Sequence, residues 1–214
     1  MNTALIQVLG AVAYGELKAY EGARAEAEAA PDEATRLRFR KVAAEELRHH
    51  KGFVARLEAL GADPERAMRP YRGALDSYHS ATEQDPVDDA IYGYLGEGIA
   101  DDLLTWLRKV VDPDTAAFID TVIEDEVEHE AAAAAELRAR LDSPAARRRA
   151  ERASQKMLFR MAGAGRHSSA PMLAFLRLGR PLDLLQVVFG GQVRRIQAVG
   201  LAPFGIGLPA PLRR

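Results

Sequence analysis

The amino-acid sequence predicts an all-α protein whose first part is a four-helix bundle. Apolar residues recur at steps of three or four along most of the first 142 residues, as they do on the buried face of a helix. Proline and glycine interrupt this periodicity at the points where one helix would end and the next begin. The connections between the four segments are short, long and short, and this order restricts the ways in which the four helices can be connected in a bundle.

The helices are predicted at residues 3–30, 32–61, 88–110 and 114–141. Pro31 separates the first two, Asp112-Pro113 separates the last two, and about 25 residues lie between the second and third. Neighbours in a simple bundle need only about 2–8 connecting residues, so the long segment is a crossover. Two antiparallel hairpins joined by one crossover between helices 2 and 3 are typical of a ferritin-like four-helix bundle.

After Ser143-Pro144 the composition changes, and additional C-terminal helices are expected. We therefore predict a bundle domain over residues 1–142 and a basic helical extension with an irregular tail over 143–214. The extension contains a predicted helix at 145–162 and a helical stretch at 172–199. Gly179-Arg180-Pro181 and Gly190-Gly191 are expected to interrupt that stretch, and the tail from residue 203 is expected to be irregular.

Cysteine is absent from the sequence, which excludes disulfides, thiol nucleophiles and thiolate-bound metals. A metal would have to be held by imidazole and carboxylate, the ligands that suit iron and manganese. No uncharged apolar run reaches the roughly 18 residues that a membrane span requires. Since the N-terminus also lacks the basic region of a secretory signal, we expect a cytoplasmic protein with no membrane partner.

Charge is distributed unevenly. From Arg138 onward, fifteen Lys/Arg stand against three Asp/Glu, a formal charge of +12, so the first 137 residues carry −14. Either the basic helices pack against the acidic bundle, or they bind an anionic partner such as a nucleic acid. The candidate residues for polyanion binding are Arg147, Arg148, Arg149, Arg152, Lys156 and Arg160.

Charged residues also occupy positions on the apolar stripes of all four predicted bundle helices, where core residues are expected. They are Glu16, Glu46, His49, Glu97, Glu126 and His129. Burying a neutral polar group without a hydrogen bond costs about 2–7 kcal/mol, and burying an unpaired carboxylate costs more. Carboxylates that converge in a core therefore require a cation.

The motif Glu-x-x-His occurs twice, at Glu46–His49 and Glu126–His129, and it places a carboxylate and an imidazole on one helical face. Each motif follows a lone Glu at nearly the same interval, 30 and 29 residues. Four Glu and two His in this arrangement are typical of di-iron and di-manganese carboxylate bundles. Asp101, one turn after Glu97, is a candidate to accept a hydrogen bond from the ring of a ligating histidine, with a buried ion pair as the alternative.

Three segments resemble the ferritin-like proteins related to MiaE, the tRNA hydroxylase that acts on methylthio-isopentenyl-adenosine. They are residues 9–17 (LGAVAYGEL), 44–49 (AEELRH) and 96–102 (GEGIADD), and the similarity covers about residues 3–141. The resemblance implies a non-haem di-iron oxygenase, a hydroxylase that takes electrons from an external donor. It also implies that the six Glu and His residues bind two iron ions, although manganese suits the same ligands in one or both positions.

An organic substrate is expected on this interpretation, with tRNA as the first candidate because of the basic extension. The alternative is an iron- or peroxide-handling protein, a ferroxidase or peroxide scavenger without an organic substrate. A third hypothesis is a metal-bound scaffold without turnover. The sequence is compatible with a homodimer and does not fix the oligomeric state.

Overall fold

A computed structural model describes residues 3–80, 85–164 and 170–203, with side chains for all of these except 160–164 and 170–173. Its helices are α1 (Thr3–Ala29), α2 (Glu33–Ala59), α3 (Pro64–Met68), α4 (Arg72–Ser80), α5 (Pro86–Leu107), α6 (Pro113–Arg140), α7 (Pro144–Ala164), α8 (Ala170–Leu178) and α9 (Pro181–Ala198). No strand occurs in the described residues, so the all-α prediction is confirmed. In the same ranges no helix is both long and apolar enough to cross a membrane.

The ends of α2 follow from local chemistry. Asp32 caps its N-terminus, because the side chain accepts a hydrogen bond from the Thr35 backbone N–H at 2.8 Å. Gly61 follows its C-terminus with φ +70°, a left-handed conformation that glycine adopts without strain. The helix begins and ends within two residues of the predicted limits.

Asp112 caps α6 in the same way and joins it to α2. Its carboxylate accepts from the Thr115 backbone N–H at 3.0 Å and from the Thr115 hydroxyl at 2.6 Å. The Arg56 guanidinium of α2 donates to Asp112 at 2.9 Å and to the Thr115 hydroxyl at 2.8 Å. The connection between α5 and α6 is short, as predicted.

The crossover between the two hairpins is largely helical. It contains α3, a 3-10 turn at Arg69–Tyr71, and α4. α3 lies so close to α1 that a Cβ added at Gly10 would stand 2.4 Å from the Ala67 carbonyl oxygen. Tyr14 of α1 donates a hydrogen bond to Asp76 of α4 at 2.7 Å. These contacts fix the crossover against α1.

The helices group into two compact units. The first comprises residues 1–82, 107–125 and 168–181, and the second comprises residues 83–106, 126–167 and 182–214. In the first unit α1 packs along α2, and the rings of Phe53 and Phe118 pack edge to face with their centroids 4.9 Å apart. The predicted domain boundary at residue 142 stays a prediction.

The second unit has its own apolar core, formed by α5, the later part of α6, α7 and α9. The side chains buried there, each at most 2% exposed, include Leu95, Leu137, Leu141, Ala150 and Ile196. The C-terminal helices α7 and α9 therefore belong to this core.

Gly190 and Gly191 do not interrupt the last helix, contrary to the prediction. Both lie inside α9, which runs without a break from Pro181 to Ala198. A Cβ added at Gly191 would stand 1.9 Å from an Asp102 carboxylate oxygen, so the glycine permits a close approach rather than a helix end. The predicted irregular tail lies outside the described residues from position 204 onward.

Candidate metal centre

The first part of the centre lies on α1 and α2. Glu46 and His49 are buried, with 5% and 1% of their surfaces exposed, and the Glu16 side chain is 11% exposed. Nδ1 of His49 lies 3.5 Å from a carboxylate oxygen of Glu16 and 3.5 Å from one of Glu46. The two residues of the first Glu-x-x-His motif therefore share a face, as predicted, and both meet Glu16.

The other side of the His49 ring contacts Asp125 of α6. Nε2 of His49 lies 2.9 Å from an Asp125 carboxylate oxygen, and Arg48 donates to the same carboxylate. A carboxylate on one imidazole nitrogen fixes the ring orientation and leaves the other nitrogen directed at the site. Asp125 therefore orients His49 with Nδ1 toward Glu16 and Glu46.

Sequence reasoning missed Asp125 because the α6 stripe permits two continuations. After Phe118 and Val122, a step of three leads to Asp125 and a step of four leads to Glu126. Both steps keep a residue on the same helical face, and the Glu-x-x-His motif favoured Glu126. In the structure both side chains are only partly exposed, 24% for Asp125 and 17% for Glu126.

Four of the six predicted ligands come together: Glu16, Glu46, His49 and Glu126 each offer one ligand atom, and these atoms all lie within 4.8 Å of one another. Glu126 also meets the histidine of its own motif, because Nδ1 of His129 lies 3.2 Å from its carboxylate. The second Glu-x-x-His motif is thus also a contacting pair.

Burial disfavours negative charge in this cluster. Burial, together with the nearby Glu46 carboxylate, raises the pKa of Glu16 to about 8, although the hydrogen bond to His49 opposes the shift. Burial also lowers the pKa of His49, but hydrogen bonds to Glu16, Glu46 and Asp125 outweigh it and bring that pKa to about 10. The protein alone therefore holds protons between these groups.

A metal ion fits this donor set. Carboxylate oxygens and a neutral imidazole nitrogen are the ligands of iron and manganese in helical bundles. A bound cation would supply the positive charge that protons supply in the protein alone, so binding and deprotonation are coupled. The buried convergence of three carboxylates on one imidazole is the observation that makes this a candidate metal centre.

The other predicted site residues have different surroundings. Glu97 is exposed on α5 and does not belong to the four-residue cluster, and its ligand role and that of His129 stay predictions. Asp101 lies 3.5 Å from the guanidinium of Arg195, so it makes the ion pair that the sequence left open as the alternative. Burial raises the pKa of Asp101 to about 8 despite Arg195.

Arg195 of α9 is the centre of a buried charge cluster that the sequence did not indicate. It lies 2.7 Å from Asp102, which is 3% exposed, and 2.8 Å from Glu130. A Cβ added at Gly98 would stand 2.2 Å from its guanidinium, so Gly98 leaves room for the side chain. Arg195 thereby joins α9 to α5 and α6.

The buried face of α7 consists of Ala150, Ala153, Ser154, Met157 and Leu158, none of which is basic. Arg147, Arg148, Arg149, Arg152 and Lys156 are all exposed, and the side chain of Arg160 lies outside the described part. Arg149 is also bound internally, at 3.0 Å from Asp85 and 3.2 Å from Asp88.

The helices and the cluster together define a helical protein with a candidate carboxylate–imidazole metal centre. A family model described as a ferritin-like domain of actinomycetes matches residues 1–159. The chain therefore belongs to this ferritin-like family, and the predicted ferritin-like fold is confirmed. No curated protein matches the chain.

Proposed function

We propose that this protein is a non-haem di-iron hydroxylase that acts on an organic substrate. The observation that carries the proposal is the convergence of Glu16, Glu46, His49 and Glu126 in a largely buried cluster. The resemblance to the MiaE-like group supports hydroxylation over other uses of such a centre. In this proposal Glu97 and His129 complete the ligand set, with iron preferred and manganese accepted by the same donors.

Iron bound there would supply reductive activation of oxygen with electrons from an external donor. The residues of the chain would hold the iron and orient the side chains that bind it. Asp125 fixes the His49 ring through Nε2, which leaves Nδ1 for the cation. Because the pKa of Glu16 is near 8 and that of His49 near 10, metal uptake at neutral pH must release protons from this pair.

The experiment that tests the centre is metal content per chain after anaerobic loading with ferrous iron. We expect about two irons per chain in the wild type and a loss of binding in Glu46→Gln. Glu45→Gln is the matched control, because Glu45 neighbours Glu46 on α2 but forms an ion pair with Lys41 at 3.5 Å. Equal loading in both variants would refute the assignment, and one iron per chain would exclude a dinuclear centre.

A turnover assay separates the proposal from its alternative. Oxygen consumption by the loaded protein that rises only with an organic substrate and an electron donor supports a hydroxylase. Oxidation of ferrous iron or consumption of peroxide without such a substrate would assign the protein to iron or peroxide handling instead.

We propose tRNA as the first substrate to test, because α7 carries an exposed basic surface. Arg148 and Arg152 lie one turn apart on it, and both are exposed. Phosphate contacts make binding depend steeply on salt, so we expect affinity to fall about 10³-fold or more between about 50 and 200 mM salt if six or more contacts form.

Replacing both Arg148 and Arg152 by Gln should weaken tRNA binding at low salt by about tenfold or more, at about 1.5–3 kcal/mol per charged contact. Arg149→Gln is the control, because this guanidinium is bound to Asp85 and Asp88. Salt-independent binding, or equal loss in the control, would exclude α7 as a phosphate-binding surface.

A further inference from the structure

A groove runs between α1 and α2 toward the end of the hairpin that they form. It encloses about 410 Å³, within the range of about 300–1,000 Å³ that small-molecule sites occupy. Its apolar floor comprises Ala27, Ala43 and Leu47, and the exposed Ala44 also lines the groove. Ala27 and Ala43 are buried, at 4% and 7% exposed, and their small side chains leave the space that a larger residue would fill.

The groove continues the two helix faces that carry the candidate ligands. Tyr20, which lines it, is one turn after Glu16 on α1. Ala43 is three residues before Glu46 on α2. One helical turn advances about 5.4 Å, so a molecule bound on the floor of the groove would have one end next to Glu16 and Glu46.

The rim of the groove is positively charged. Arg24, Arg36 and Arg40 line it together with a single carboxylate, Glu28. Arg24 lies 3.5 Å from Glu28, and Arg36 lies 2.6 Å from Glu33, in pairs with exposed partners. Ion pairs between exposed side chains contribute little to stability, so both arginines can exchange their partners for a ligand.

Arg40 is the cation available to a ligand. Within the part of the chain that the structure describes, its guanidinium makes no hydrogen bond or ion pair. It lies one turn after Arg36, so the two guanidiniums project from the same side of α2. The planar fork of a guanidinium matches a carboxylate or a phosphate in two-point contact.

We propose that this groove binds an organic anion, whose carboxylate or phosphate head meets Arg40 and Arg36 and whose apolar body rests on the alanine floor. The proposal rests on the proposed hydroxylase function and makes an amphipathic acid of low molecular weight the substrate class that competes with tRNA. The apolar end would then approach Glu16 and Glu46, and the arginines would position the head away from them.

Isothermal titration calorimetry on the full chain tests this with defined probes. Decanoate and decyl phosphate supply the two head groups on one apolar body, and decanol is the uncharged control. We expect at least one of the acids to bind at one site per chain, and decanol to bind at least about tenfold more weakly, since it cannot form charge-assisted hydrogen bonds with the arginines.

Variants locate the site. Arg40→Gln should weaken binding of the acid about tenfold or more by the same contribution. Ala43→Phe should abolish it by filling the floor. Arg38→Gln is the matched control, because Arg38 belongs to the same helix, stacks on Phe39 with 4.7 Å to the ring centroid, and does not line the groove. Circular dichroism of each variant verifies folding, and Arg40→Gln suffices if Ala43→Phe does not fold.

The proposal is overturned if the wild type binds neither acid. It is also overturned if Arg40→Gln binds the acid as tightly as the wild type does, or if the wild type binds decanol as tightly as the acid. Displacement of the acid by an RNA oligonucleotide at equal affinity would assign the groove to nucleic acid and also overturn it. Iron content is measured on the same samples. Normal loading without acid binding refutes only this proposal, whereas acid binding without loading refutes only the metal centre.

Discussion

Replacement of Arg195 by Met should destabilise the second unit strongly. Arg195 is 5% exposed, and its guanidinium contacts Asp102 at 2.7 Å, Glu130 at 2.8 Å and Asp101 at 3.5 Å. Met keeps most of the side-chain volume and the contacts of its stem, so the variant tests the charge. What remains is the buried Asp102 and the partly buried Asp101, with the exposed Arg194 at 3.9 Å from Asp102.

The magnitude follows from which carboxylates are buried. Removing one partner of a buried ion pair costs about 3–5 kcal/mol, because it leaves an uncompensated charge. Asp102 is 3% exposed and carries most of this cost, whereas Glu130, whose side chain is 36% exposed, is solvated and adds little. We therefore expect the free energy of unfolding to fall by about 3–5 kcal/mol at pH 7.

The loss should be smaller at pH 5 than at pH 8. Burial raises the pKa of Asp101 to about 8 and also raises that of Asp102, while Arg195 lowers both. Without Arg195 both pKa values rise further, so the folded variant binds protons more tightly than the unfolded chain. Stability from such groups is present at low pH and is lost as the pH rises through the folded pKa.

The assay is urea denaturation of the full chain followed by the fluorescence of Trp106, the single tryptophan, which is buried in the same unit. Arg194→Met is the control, because Arg194 is 71% exposed and 3.9 Å from Asp102. A second change, Asp102→Leu, should restore part of the stability lost in Arg195→Met. A loss below about 1 kcal/mol, or one equal to the control, would refute the reasoning.

Three further predictions concern the first unit. The metal-free protein should lose stability in urea between pH 6 and pH 9, because the folded pKa values of Glu16 (about 8) and His49 (about 10) lie above their ordinary values; stability that is constant or rises over this range would contradict it. Gly10→Ala should lower the free energy of unfolding by about 1–3 kcal/mol through its close contact with α3, whereas Gly15→Ala, which meets nothing within 4 Å, should raise it by up to about 1 kcal/mol. Asp112→Ala should cost about 0.5–2 kcal/mol by removing the cap of α6, and an unchanged melting temperature would exclude that role.

The helices could be predicted because their limits are local. Pro31 and Asp32 end one helix and cap the next through contacts within three residues, and Pro113 begins α6 directly after its cap. The apolar stripes then fix which face of each helix is buried. Limits of this kind require no knowledge of the partner helix, so they agree with the structure to within about three residues.

The glycines of α9 were misinterpreted because their role is not local. Gly190-Gly191 lowers helix propensity by about 1 kcal/mol per residue, which in isolation predicts a break. In the structure Asp102, almost ninety positions earlier, occupies the space beside Gly191. Tertiary packing therefore overrides the local preference, and only the fold shows where the space is needed.

The candidate centre was predictable in its residue types and less so in its exact membership. A charged residue on an apolar stripe is a strong signal, and it indicated Glu16, Glu46 and His49, which are largely buried. The same signal indicated Glu97, which is exposed on α5. On α6 the steps of three and four both fit, so Asp125 and Glu126 were indistinguishable by periodicity. The structure assigns them different contacts, Asp125 to Nε2 of His49 and Glu126 to the ligand cluster.

The uneven charge of the chain has two uses, and they fall to different arginines. Arg195 and Arg149 meet aspartates 93 and 61 positions away, so part of the basic extension neutralises acidic residues of the second unit. Arg148 and Arg152 remain exposed on α7. Net charge alone does not show which arginines are paired, since the pairing depends on which aspartates the fold brings next to each of them. The consequence is that α9 cannot be removed as a dispensable tail: its removal would take away both the counter-ion of Asp102 and Ile196, which belongs to the apolar core of the second unit.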